Sequence, residues 1–254
     1  MPHGAEGESC LVLESITKDF GGLRAVDRVS LRLARGQRRA IIGPNGAGKT
    51  TLFNLISGEL PVTSGTIQFS GRDITRLPSY RRTALGLGRT YQITTLFPRL
   101  TVLENVVLAL VGTDGRKFDP RRPVTSHGDL IMEARRLLES VGLWERRDEA
   151  TRSLSHGEQR EIEVLLALAS RPRLLLLDEP TAGLSPAEAR VLMGIVRRLD
   201  PSMTVLLIEH DMDVAFEVAE SITVMHLGRV LAEGPPEAIR ANAEVQQIYL
   251  GVGL

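Results

Sequence analysis

The chain has 254 residues, 43% of them hydrophobic, with 31 basic residues balanced by 31 acidic ones. That composition excludes a disordered chain, a collagen-like fibre and a disulfide scaffold, and a chain this long buries roughly three quarters of its surface. Cys10 is the single cysteine, so neither an intrachain disulfide nor a cysteine-based metal cluster can form, as suits a reducing compartment. Zero formal net charge provides no global basic field to draw the chain onto nucleic acid. The longest apolar runs, such as Val106 to Val111 and Val164 to Ala169, fall short of the ~18 residues that cross a bilayer. A membrane role therefore requires a partner chain.

Met1 to Cys10 has neither a charged start nor an apolar stretch and is expected to form a loose tail rather than a secretion signal. β-rich stretches follow at Leu11 to Ile16, Val29 to Ala34, Arg39 to Gly43 and Thr66 to Ser70, the last closed by Gly71. The segment Lys49 to Ser57 reads as a helix. Thr101-Val102-Leu103-Glu104 and Ser155-His156-Gly157-Glu158 each pair a hydroxyl cap with Glu three positions later, ahead of an apolar-rich helix. Between them, Gly112 to Gly128 holds glycines, prolines and basic residues without periodicity and reads as a loop. After residue 172 the pattern alternates: strand Arg173 to Asp178, helix Pro186 to Leu199, strand Thr204 to Ile208, helix Asp211 to Glu220, strand Ile222 to Met225. This is the rhythm of a parallel α/β sheet. The expected fold is one α/β unit over residues 11–251, with N-terminal antiparallel strands and a helical subdomain at about residues 95–170.

The sharpest motif is Gly43-Pro44-Asn45-Gly46-Ala47-Gly48-Lys49-Thr50, between the apolar strand Ala40-Ile41-Ile42 and a helix. Glycines let the backbone wrap a phosphate with its N–H groups inward, and the helix N-terminus adds positive potential. Lys49 is placed to contact the β and γ phosphates, and the Thr50 hydroxyl to bind Mg²⁺. Of the 31 basic residues only Lys18, Lys49 and Lys117 are lysine. A chain that so favours arginine nevertheless has a compact ammonium where a planar guanidinium would not fit.

Leu174 to Leu177 is a continuous apolar strand ending in Asp178-Glu179, and ligands of open parallel sheets gather at C-terminal strand ends. Asp178 is the candidate Mg²⁺ carboxylate, Glu179 the candidate base for the attacking water, and His210 a candidate γ-phosphate contact. Taken singly, an acidic pair at a strand end is equally a solvated turn, and a lone His there is more often structural. Their combination with the phosphate loop favours the functional reading.

With these motifs in order, the sequence resembles the ATP-binding subunit of ATP-binding cassette (ABC) transporters over about residues 9–251. The resemblance implies that Phe20 stacks on adenine, that Gly43 to Thr51 form the Walker A loop around ATP, and that Gln92 is the Q-loop residue sensing Mg²⁺ and the membrane partner. Leu154 to Arg160 is similar to the signature LSGGQ, whose Ser155, Gly157 and Glu158 face the γ-phosphate. Asp178 and Glu179 match the Walker B pair, and His210 the switch histidine. His156 and Glu158 replace the usual Gly and Gln, and Ser185 stands where the D-loop usually has Asp.

In this family the signature of one subunit closes over the phosphate loop of another. The resemblance thus implies a homodimer, or a heterodimer with a second cassette, two transmembrane permease subunits, a periplasmic or extracellular solute-binding protein, and no nucleic acid. It places the chain peripherally on the cytoplasmic face of the inner membrane. Gly88-Arg89-Thr90-Tyr91-Gln92, Leu96-Phe97-Pro98, Leu100 to Asn105 and the terminal Tyr249-Leu250-Gly251 look most like branched-chain amino-acid importers. Importers of urea or short amides and lipopolysaccharide exporters share some of these features. A soluble cassette ATPase of DNA repair or translation usually has two cassettes or a long coiled coil, and a P-loop kinase needs an acceptor site.

Overall fold

The computed structural model describes residues 8–90, 96–113 and 128–250. In chain order the first elements are β1 (Ser9–Phe20), β2 (Leu23–Ala34), β3 (Arg38–Ile42), α1 (Lys49–Ser57), β4 (Ser64–Phe69), β5 (Arg72–Asp73), α2 (Ser79–Ala84) and β6 (Leu87–Arg89). There follow α3 (Val102–Thr113), α4 (Gly128–Ser140), α5 (His156–Ala169), β7 (Leu174–Asp178), α6 (Pro186–Arg197), β8 (Thr204–Ile208), α7 (Met212–Val218), β9 (Ser221–His226), β10 (Arg229–Gly234), α8 (Pro236–Arg240) and α9 (Ala243–Leu250). The chain divides into two compact units, one of Met1–Leu87, Arg173–Glu179 and Leu199–Leu254, the other of Gly88–Pro172 and Pro180–Arg198. The second contains the predicted helical region and adds α6.

In the first unit an antiparallel sheet runs β2-β1-β4-β5, and a second sheet has its strands in the order β10-β9-β3-β8-β7. β3 is parallel to both β8 and β9, and β7 is parallel to β8. Leu174 to Leu177 and Val205 to Ile208 are fully buried, as a sheet covered on both faces requires. One apolar cluster includes residues of both sheets and α1, among them Leu11, Leu31, Phe53, Ile56, Leu176 and Met225.

β1 and β2 are longer than their alternation predicts, because two irregularities reset the period. Leu13 and Ile16 both face the core although three residues apart. The register against β2 shifts between them, with Ser15 at φ 49, as a β-bulge does. Arg28 at φ 52 does the same between buried Val26 and Val29. Ser9 and Cys10, assigned from sequence to the loose tail, instead open β1, and Cys10 is buried in the core. Burial raises its thiol pKa and makes it a small hydrophobe.

The second unit packs α3, α4 and α5 around Val102, Val106, Leu138, Ile162 and Leu165. Both predicted capping boxes form. Glu104 N–H donates to Thr101 Oγ1 at 3.1 Å while Thr101 N–H donates to Glu104 Oε2 at 2.7 Å. Ser155 and Glu158 exchange the equivalent pair at 3.2 and 2.8 Å. Most of the Gly112 to Gly128 loop, residues 114–127, lies outside the described residues.

Arg82 of α2 is 1% exposed. Its guanidinium donates to the carbonyls of Leu55 and Ile56 at 2.7 Å each, of Leu77 at 2.8 Å and of Thr75 at 3.0 Å. Leu55 and Ile56 belong to the last turn of α1, whose carbonyls lack intrahelical donors and carry the negative end of the dipole. Burial lowers the Arg82 pKa to about 10, so the cap stays charged at neutral pH. Arg82→Leu should lower stability by on the order of 3 kcal/mol, and an unshifted urea midpoint would contradict this role.

Glu161 of α5 is 8% exposed. Burial, followed by the carboxylates of Glu158 and Glu188, pushes its pKa up to about 7. The folded state holds this proton more tightly than the unfolded chain. Stability should fall as pH rises from about 4.5 to about 7, by on the order of 3 kcal/mol, and level off above. Glu161→Gln should flatten that segment of a melting-temperature profile; parallel wild-type and variant profiles would refute it.

Candidate functional site

The phosphate loop joins the end of β3 to α1. Gly48 takes φ 97, and a Cβ there would stand 2.4 Å from the Ala25 carbonyl, so no other residue fits. The loop closes on itself through Ala47 N–H donating to Pro44 O at 3.1 Å. Asn45 and Gly46 are exposed, and Thr50 and Thr51 of α1 are half-buried. Among the described residues no side chain caps α1, and its first turn holds no acidic residue. Its N–H groups and positive dipole end are therefore available to an anion.

Lys49 is 5% exposed. Its ammonium donates to Gly43 O at 2.6 Å and to Pro44 O at 3.2 Å. Burial lowers its pKa, while the charges of Glu179 and then Asp178 act to raise it. Asp178 ends β7 and is 1% exposed. Glu179, the next residue, is half-buried and takes φ 46, a left-handed conformation unusual for a side chain of its length. Its N–H donates to Ile208 O at 3.0 Å, which fixes that turn against β8. The sequence-predicted Lys49, Asp178 and Glu179 thus form one electrostatic group.

His210 follows β8 with its side chain 56% exposed, and its Nδ1 stands 4.0 Å from Glu209 Oε2. Phe20, at the end of β1, is an exposed ring with the Lys18 ammonium 5.0 Å from its centroid. A flat apolar face open to solvent suits stacking on a base. Gln92 lies outside the described residues.

Ser155, Gly157 and Glu158 belong to the second unit, at the N-terminus of α5. Ser155 is the exposed N-cap, Gly157 is buried and Glu158 half-buried. Arg146 pairs with both Glu149 and Glu158. Glu158 is therefore committed to the capping box and to Arg146, in the position where a Gln was expected.

Two features escaped the sequence reading. The turn between β9 and β10 has Leu227 at φ 47 and Gly228 at φ 79, as in a tight hairpin. It braces the phosphate loop, because Gly228 N–H donates to Ala47 O at 3.0 Å and its carbonyl accepts from Asp27 N–H at 2.8 Å. A Leu-Gly dipeptide between two strands is a faint turn signal and says nothing of what the turn touches. Tyr249 of α9 has a buried hydroxyl outside hydrogen-bond geometry. Burial raises its phenol pKa, and the nearby Gly43 amide acts in the opposite direction.

Comparison with known proteins identifies the family. The ABC transporter family model matches residues 26–182, and the branched-chain amino acid ATP-binding cassette transporter model matches residues 229–254. The chain is 38% identical over 248 residues to the high-affinity branched-chain amino acid transport ATP-binding protein BraF of Pseudomonas aeruginosa, covering 95% of this chain and 97% of that one. An ATP-binding cassette of an ABC transporter, solved in its ADP conformation, superposes with a TM-score of 0.85 at 31% identity, over 96% of this chain and 99% of that one. A dimeric cassette in a post-hydrolysis state with ADP and phosphate gives a TM-score of 0.75 at 27% identity, over 89% and 98%. The family model over residues 26–182 and the 38% identity to BraF over nearly the whole of both chains show that the chain belongs to the ABC transporter family as one of its ATP-hydrolysing cassettes.

Proposed function

We propose that this cassette powers import of branched-chain amino acids, and that Glu179 polarises the water that attacks the γ-phosphate of ATP. The observation that carries the chemistry is the buried Lys49 ammonium facing Glu179 and Asp178 beside the uncapped start of α1. The triphosphate lies along the loop amides with Lys49 turned from the Gly43 and Pro44 carbonyls to the β and γ oxygens. The Phe20 ring stacks on adenine. Water oxygen bonds to γ-phosphorus as the bond to the ADP oxygen breaks, the proton passes toward the Glu179 carboxylate, and His210 contacts the departing phosphate.

Thr50 and Asp178 supply a hydroxyl and a carboxylate, the hard oxygen donors that Mg²⁺ prefers, and Mg²⁺ takes few protein ligands because it keeps water and phosphate oxygens. Gln92 is assigned the remaining contact from its sequence position. When bound, the ion neutralises charge developing on the β and γ oxygens.

Ser155, Gly157 and Glu158 are assigned to the γ-phosphate held by a second cassette, and a relative that is dimeric with ADP and phosphate supports the pairing of two cassettes. Two permease subunits and an external solute-binding protein complete the machine, with this chain on the cytoplasmic face of the membrane. The matches to BraF and to the branched-chain family model at residues 229–254 favour leucine-like solutes. Co-purified partners reconstituted in vesicles should take up leucine and not urea; the reverse preference would reassign the solute.

Glu179→Gln should cut turnover by about 100-fold or more while ATP still binds and holds two copies together in light scattering. Undiminished phosphate release would remove Glu179 from the base role. Lys49→Ala should weaken nucleotide binding by roughly tenfold or more; calorimetry showing wild-type affinity would dismiss the phosphate-loop assignment.

A further inference from the structure

Glu188, in the first turn of α6, serves two helices at once. Its Oε2 accepts from Ser185 N–H at 2.9 Å and from the Ser185 hydroxyl at 2.7 Å, completing the capping box of α6. The rest of the carboxylate reaches the start of α5. Glu188 Cγ and Oε1 each stand 2.9 Å from the place a Cβ on Gly157 would occupy. Gly157 is helical and takes no positive φ, so its backbone conformation does not demand glycine. A Cβ there would displace the Glu188 side chain.

The contact continues on both sides. A Cβ on Gly183 would stand 3.2 Å from His156 Cε1, so the loop before α6 lies against the first residue of α5. The Glu188 carboxyl is held below the usual carboxylate range by the Ser185 hydroxyl and amide, and further by the Gly157 amide and the nearby His156. His156 and Ser185, two of the three departures from the pattern of the resemblance, both fall within this one contact.

We propose that Glu188 is a positioning residue that ties the loop following Asp178-Glu179 to the N-terminus of α5, and so fixes the angle at which Ser155 and Gly157 meet the partner's nucleotide. The proposal rests on the reading of α5 as the phosphate-facing helix. Its mechanism is geometric. The carboxylate is shared between the Ser185 cap and the first turn of α5, so a shift of the loop moves α5 with it. The phosphate loop and Lys49 belong to the first unit and Glu188 to the second, so nucleotide affinity and turnover are read separately.

The full-length chain carrying Glu188→Ala should keep its affinity for a fluorescent ADP analogue within about twofold while kcat falls about fivefold or more. Glu188→Gln retains the shape and most hydrogen bonds and should lose less, which guards against a loss of α6 itself. Gly157→Ala should impair turnover by pushing Glu188 aside, and adding Glu188→Ala should restore part of that loss, a coupling of about fivefold. Unchanged kcat in Glu188→Ala, or losses that simply multiply in the double variant, would overturn the proposal. Dimerisation with ATP is read separately in the Glu179→Gln parent. A parent that stays monomeric defeats the phosphate-facing reading, whereas a dimerising parent with multiplying losses defeats Glu188 alone.

Discussion

One buried positive charge, that of Lys49, organises the phosphate end of the first unit. The Lys49 ammonium sits 5% exposed at the end of a parallel sheet, where an unpaired charge would be costly. Two loop carbonyls and two carboxylates offset that cost. The carbonyls are provided by the bend of the phosphate loop, and the carboxylates by the end of β7. The register of β7 on β8, and of β8 on β3, therefore sets the spacing of the charges. A slip of one residue in either pairing would turn Asp178 or Leu177 to the opposite face.

The loop that carries this charge is held from outside as well. Ala25 O packs against Gly48, Gly228 N–H bonds to Ala47 O, and Arg82 caps the far end of α1. These braces come from β2, the β9–β10 turn and α2, three segments distant in sequence. Rigid surroundings matter here because phosphoryl transfer is catalysed chiefly by positioning and fixed charge.

The legible parts of the sequence are those in which local chemistry decides the outcome. Lys49–Ser57 and Thr204–Ile208 have their predicted limits, and both capping boxes formed, because a hydroxyl and a Glu three residues apart satisfy each other within one turn. The phosphate loop and the acidic strand end were equally readable, since each is a contiguous run. The extent of β1 and β2 was not, because bulges at Ser15 and Arg28 break the alternation on which strand reading depends. Cys10 looked like tail because its place in the core is set by pairing with β2 and β4. The bracing turn at Gly228, the Arg82 cap and the Glu188 contact all join residues far apart in the chain, and no local pattern announces them.

The two helix N-termini assigned to phosphate differ in how they are capped. α1 begins at a glycine, with no side-chain cap among the described residues, so its free N–H groups and dipole are open to an anion. α5 begins at Ser155, already satisfied by its capping box, with Glu188 beside Gly157 and Arg146 holding Glu158. Much of its positive end is thus compensated by the chain's own carboxylates. On the proposed reading the two termini meet the same nucleotide with unequal positive potential, α1 through an open N-terminus and α5 of the second copy through one already offset by carboxylates of its own chain.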